Sequence, residues 1–361
     1  MFNYRAALAV PIAAVSVCLG GAAASAAQSA PATTAPAVSW HKLTLINGWK
    51  SSQSTRDTGN PSYAIKGGMV YLSGAMHGGA IGSNFAILPK AARPVNWLYM
   101  TVSTAGGIHA TLLITPAGQM EVYGTPAGNA AKFASLAAVS FPAATTKQHE
   151  LSLVSGWTSA EVPYGTGDPS YVVKNGIVHL SGSLKGGTDS GFAYLPTASP
   201  LPPVFTYRGV DTYNGTFGAV IINSHNFLEV APTGDSKLFT SLAGISLPLK
   251  SVIQHKVTLL NGWKSAQQPY STAPFSYAVK DGIVYLSGAV KRPSGTSNVI
   301  AILPKAARPG HVLYISAYAA YGAPGALVIR PSGRVSISSP TDPSGARTLT
   351  SLAAISYPKN S

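Results

Sequence analysis

Three histidines, His41, His149 and His255, recur at matched places in this 361-residue chain and are the first candidates for chemistry. Brought to one point, they could ligate a metal ion or titrate together near neutral pH. Each opens an alternating apolar run, HKLTLINGW, HELSLVSGW or HKVTLLNGW, which reads more simply as a partly exposed strand start. Carboxylates are scarce, 11 against 25 Lys and Arg, for a formal net charge of +14. None recurs in all three places: Asp281 has Gly67 and Asn175 as counterparts, and Asp168 has Asn60 and Pro274. A glycosidase needs two carboxylates about 5 to 9 Å apart. The sequence has no G-x-S-x-G elbow, P-loop, HExxH or paired cysteines. The expectation is therefore a non-enzyme with no cofactor and no metal.

Aromatic and basic residues are the next candidates. Trp49, Trp157 and Trp263 each follow a glycine at a strand end and are read as core plugs rather than sugar platforms. Tyr314 and Tyr318 fall on one face of a strand, about 13 Å apart at the usual rise. Tyr321 follows in the loop, Tyr213 occupies a similar loop earlier in the chain, and Arg308 lies nearby in sequence. An exposed line of these five residues would hold a saccharide by stacking and hydrogen bonding. Arg93 and Arg308 belong to AILPKAARP, which occurs twice, at Ala86–Pro94 and Ala301–Pro309. The middle counterpart, LPTASPLPP, has no arginine. Their guanidinium groups are accordingly read first as caps on backbone carbonyls. The basic residues are scattered singly, without a stripe of interleaved aromatics, so nucleic acid is not expected as a partner. Outside a cell, a basic surface attracts acidic polymers.

The positioning elements repeat with a period near 107 residues, since the tryptophans are 108 and 106 apart. SYAIKGGMVYLSG, SYVVKNGIVHLSG and SYAVKDGIVYLSG match, as do SLAAVSFP, SLAGISLP and SLAAISYP. That period is domain-sized, too long for a solenoid unit. The expected organisation is three tandem modules, at 41–142, 149–248 and 255–358, joined by AATTKQ and LKSVIQ and packed against one another. Gly-Gly, Asn-Gly and Asp-Gly between alternating runs predict a two-residue type I′ hairpin in each. TPAG and RPSG predict a second tight turn. Each repeat then has seven or eight short strands, giving an all-β class of jelly-roll-like β-sandwiches, with an intramolecular pseudo-trimer as one arrangement.

Residues 1–26 read as a secretory signal peptide: Arg5, an apolar run, then small residues at Ala24-Ser25-Ala26. Residues 27–40 read as a Pro/Ala/Thr-rich spacer. Cys18 is the sole cysteine and lies in the leader, so an exported chain without disulfides is expected. No apolar run suits a transmembrane segment.

The pattern L-x-N-G-W … P-x-Y-x-x-x-x-G-x-V-x-L-S-G … L-P-x-x-x-R-P … I-x-P-x-G … S-L-x-x-I-S-Y resembles the C-terminal receptor-binding head modules of phage tail fibre and baseplate proteins. The resemblance covers nearly all of residues 41–358. It implies a β-sandwich that recognises a surface saccharide or wall polymer without catalysis. A leader and three modules in one chain depart from that family, the heads of which usually associate as homotrimers. The expected function is a secreted binding protein for surface glycan or anionic wall polymer. A structural, self-assembling surface protein is the alternative, and a secreted hydrolase of polysaccharides or esters a more distant one.

Overall fold

Gly67-Gly68, Asn175-Gly176 and Asp281-Gly282 all have positive φ, between 51° and 81°. Each pair joins strands in direct register, with Lys66 opposite Met69, Lys174 opposite Ile177 and Lys280 opposite Ile283. These are the backbone demands of a two-residue hairpin, and they fix which residues face inward along both strands. The computed structural model describes residues 38–361 apart from 125–126, 197, 199, 233–234, 293–294, 296 and 340–341. The leader at 1–26 and most of the 27–40 spacer lie outside the described residues.

The fold is all-β and sandwich-like, with only short helical turns between strands. In the first repeat a four-stranded antiparallel sheet runs in the order His41–Lys42, Ser62–Lys66, Met69–Ser73, Ser140–Pro142. The same order recurs twice, ending in Ser246–Pro248 and Ile355–Pro358. A second sheet in the first repeat runs Asn84–Ile87, Gln119–Tyr123, His109–Ile114, Leu98–Ser103. Its counterpart in the third repeat is Val299–Ile302, Arg334–Ser338, Pro324–Ile329, Leu313–Tyr318. In the middle repeat the corresponding four strands continue into a seven-stranded sheet through the Thr212–Thr240 pair, and Thr104–Ala134 and Ala319–Thr350 bridge the same place in the other two repeats. Several strands are only two residues long, so the sequence expectation of seven or eight undercounts them.

Hydrophobic residues fill three main clusters. One gathers residues between Leu43 and Ala143, including Trp49. A second holds Trp157 and its repeat, and a third holds Trp263 and its repeat. The tryptophans are 4%, 5% and 5% exposed, which places them in the cores. Each cluster also takes in residues from another repeat: Ala137 and Ala138 join the third cluster, Ala354 joins the second, and Ala243 packs on the first.

Backbone hydrogen bonds cross between repeats at matched positions. Trp97 N donates to Gly165 O (3.0 Å), Phe205 N to Ser271 O (3.0 Å) and Val312 N to Asp57 O (2.8 Å). The connecting segments are hydrogen-bonded turns: Ala144 N donates to Arg93 O and Lys250 N to Pro200 O, both at 2.9 Å.

Candidate functional site

The five residues expected to hold a saccharide do not form one surface. Tyr318 is only 9% exposed and stacks on Tyr207, with ring centroids 5.7 Å apart and planes 11° from parallel. Tyr314 shares its face of the strand, as the alternation requires, but that face is covered by another repeat: Tyr314 meets Phe133 edge-on at 5.0 Å. The expectation of exposure is corrected here, and the reason is packing between segments far apart in sequence. Tyr321 is 82% exposed at the loop tip beyond the strand Leu313–Tyr318. Arg308 lies before the start of that strand, so a six-residue strand, about 20 Å, separates it from Tyr321. Tyr213 is half-buried in the matching loop of the middle repeat.

Arg308 Nε donates to Leu303 O (2.9 Å) and Arg93 Nε to Leu88 O (3.0 Å), the backbone-capping role read from the sequence. Gly333, with φ +88°, makes room for the cap, since a Cβ there would sit 2.7 Å from Arg308 Nε. The middle repeat, lacking the arginine, places Asn226 at the glycine's position, and Asn226 Oδ1 accepts from Leu201 N (3.2 Å). A side chain still ties this loop in the middle repeat, but by accepting from a backbone amide rather than donating to a carbonyl.

His41, His149 and His255 are exposed and do not converge. Each lies across an antiparallel ladder from a tyrosine: His41 from Tyr63, His149 from Tyr171, His255 from Tyr277. Ring centroids are 5.2, 5.5 and 5.3 Å apart. Among the described residues no group of three or more His, Cys, Asp or Glu could hold a metal ion. Sequence reasoning missed these pairs, although the identical spacing of 22 residues in all three repeats was the available signal.

Beside the third pair lies an open groove of about 580 Å³. His255, Tyr277, Ile253, Val279, Asn175 and Lys280 are among its walls. Asn175 and Lys280 also line a narrow opening of about 20 Å³ between the hairpin turns of the three repeats. Lys66, Lys174 and Lys280, the last residues of equivalent strands, all line it, together with Asp281. A Cβ on Gly282 would lie 3.7 Å from Lys66 Nζ, so the first repeat's lysine reaches the third repeat's turn.

The floor of that opening is uncharged. Tyr71, His179 and Tyr285 occupy equivalent positions there and are buried. Burial pushes Tyr71 up to about 12 and Tyr285 well above the ordinary tyrosine value, and the two hydroxyls share a hydrogen bond. Burial pushes His179 down to about 4, leaving a neutral imidazole whose Nδ1 is 2.9 Å from Ser246 Oγ. The lysines therefore set the positive potential at the mouth, moderated by Asp281. The arrangement offers an aromatic pair for a sugar face and ammonium groups for an acidic substituent.

Set against protein-family models, curated proteins and solved structures, the chain matches none. Among the described residues no helix is long and apolar enough to cross a membrane.

Proposed function

We propose that the protein is an exported, non-catalytic binding protein for an anionic surface glycan or wall polymer. One observation carries this reading: the groove beside His255 and Tyr277 shares Asn175 and Lys280 with the adjacent opening lined by Lys66, Lys174 and Lys280. A polymer alternating sugar or polyol with phosphate or carboxylate matches such a succession of aromatic and basic subsites. The net charge of +14 supports attraction to such a polymer, as does the resemblance to receptor-binding heads. The reading also takes the three repeats as tandem sandwich modules closed into a pseudo-threefold body. Its support is the cycle of backbone bonds from repeat 1 to 2, 2 to 3 and 3 to 1. A closed cycle leaves no unmatched contact surface of the kind that extends into filaments.

The test is retention on immobilised poly(glycerol phosphate), with neutral dextran as the control. Retention should weaken as salt rises, because exposed charge contacts are screened. The double variant Lys174→Ala/Lys280→Ala should bind roughly tenfold more weakly, each exposed contact being worth up to about 1 kcal/mol. Equal retention on dextran, or indifference to both lysines, would sink the proposal.

A further inference from the structure

Each seam between repeats is built from equivalent residues, so differences between seams stand out. At the seam of repeats 1 and 2, Gln148 Oε1 accepts from Ser170 Oγ (3.1 Å). Asn96 lies against Gly167, where a Cβ would come within 2.0 Å of its Nδ2. Only about 20 Å³ is left there. At the seam of repeats 3 and 1, Trp40 stands at the position of Gln148, and His311 lies against Gly59, within 2.8 Å of a Cβ placed there.

The seam of repeats 2 and 3 departs from both. Val204 stands where Asn96 was, Thr206 where Leu98 was, and Pro274 where Asp168 was. The result is a pocket of about 230 Å³ between the repeats. Its wall is mostly apolar, with Leu201, Pro202, Ile222, Leu247, Pro248 and Ala354 among the lining residues. Gln254, the counterpart of Gln148, also lines it. Its Oε1 is buried without a hydrogen-bond partner, because Ser276 Oγ donates instead to Pro274 O (3.0 Å). An unpaired buried acceptor costs about 1 to 3 kcal/mol, which a ligand donor would recover once rotation of the Gln254 amide turns the oxygen toward the pocket.

We propose that this pocket binds a small, largely apolar molecule, such as a one- or two-ring compound, that donates one hydrogen bond to Gln254. A saccharide is a poor fit, since its many hydroxyls would meet prolines and aliphatic carbons and lose their water. The site is separate from the groove at His255 and Tyr277, so the failure of either reading leaves the other testable.

The matched probes are 2-naphthol, which has the donor, and naphthalene, which lacks it. Binding is followed by shifts of backbone amide resonances in the full protein. The expected result is saturable binding of 2-naphthol, with naphthalene about fivefold to tenfold weaker for the missing hydrogen bond. The variant Gln254→Leu should bind both probes alike. The double variant Val204→Asn/Thr206→Leu, which restores the residues of the closed seam, should lose at least tenfold for 2-naphthol. Dispersion of its amide spectrum confirms that it is folded. Absence of binding, or binding that neither variant changes, overturns the proposal.

Discussion

Asp211 is the sharpest point at which stability can be made to report on the seam of repeats 1 and 2. The carboxyl is 2% exposed and accepts a hydrogen bond from Thr111 of the preceding repeat. Tyr99 and Tyr123 stand near enough that its charge raises both phenols, after burial, which is the larger cause for each. Burial carries Asp211 from its ordinary 3.8 to about 7, with the Thr111 hydrogen bond opposing. Between those values the folded chain holds a proton that the unfolded chain has released. Stability therefore falls as pH rises through the window, and the full cost is reached above pH 7. At roughly 1.4 kcal/mol per pH unit, that cost is about 4 kcal/mol by pH 8, of which roughly 2.5 accrues between pH 5 and 8. The substitution Asp211→Asn keeps an acceptor for Thr111 and removes the titration. Urea unfolding at pH 5 and pH 8 should show the parent losing about 2.5 kcal/mol relative to the variant across that interval. The added amide hydrogens move the variant's absolute stability but not this difference. If the two proteins keep parallel pH dependences, Asp211 is not the buried, proton-holding carboxyl described here.

His179 works in the opposite sense. Its folded value of about 4 lies below the ordinary 6.5, so stability present above pH 6.5 is lost as pH falls toward 4. His179→Asn should remove roughly 3 kcal/mol of that acid loss, read as a flatter unfolding free energy between pH 6.5 and 4. Gly333→Ala would drive a Cβ to 2.4 Å from Leu303 O at a φ of +88°. A loss of about 2 kcal/mol or more in thermal unfolding is expected. Tyr318→Ala should cost roughly 3 kcal/mol by emptying a stacked, buried site, whereas Tyr321→Ala at the exposed loop tip should stay within about 0.5 kcal/mol. Equal costs for the two would contradict their placement.

The hairpins were legible in the sequence because their cause is local. Three dipeptides that tolerate positive φ stand between alternating runs, and nothing distant is needed to choose the turn. The arginine caps were legible for a different reason: comparing copies showed that the motif dispensed with its arginine in the middle repeat. The tyrosine line failed because alternation assigns Tyr314 and Tyr318 to one face without saying what covers it. Phe133 and Tyr207, which cover it, are over 100 residues away in sequence. The three copies carry the warning, since Tyr314 has counterparts in Tyr99 and Tyr207, and a tyrosine kept in every copy suits a recurring contact better than a specialised ligand site. Tyr99 packs edge-on against Phe239, Tyr314 against Phe133 and Tyr207 beside Leu349, residues at matched positions of other repeats.

That contrast separates what repetition encodes from what departure encodes. Residues held in all three copies, such as the tryptophans, the turn glycines and Tyr99, Tyr207 and Tyr314, are explained by cores, turns and seams. The chemically distinctive places arise where one copy breaks the pattern. His179 interrupts a pair of tyrosines beneath the lysines, and Asp281 brings one carboxylate to their rim. Val204, Thr206 and Pro274 together open a seam that Asn96, Leu98 and Asp168 keep narrow, and Gln254 loses the hydroxyl that satisfies Gln148. A fold whose scaffold is specified three times can absorb such single-copy departures, because each leaves two intact seams to hold the molecule together. The opened seam is therefore where a specific ligand can be accommodated at the least cost to the architecture.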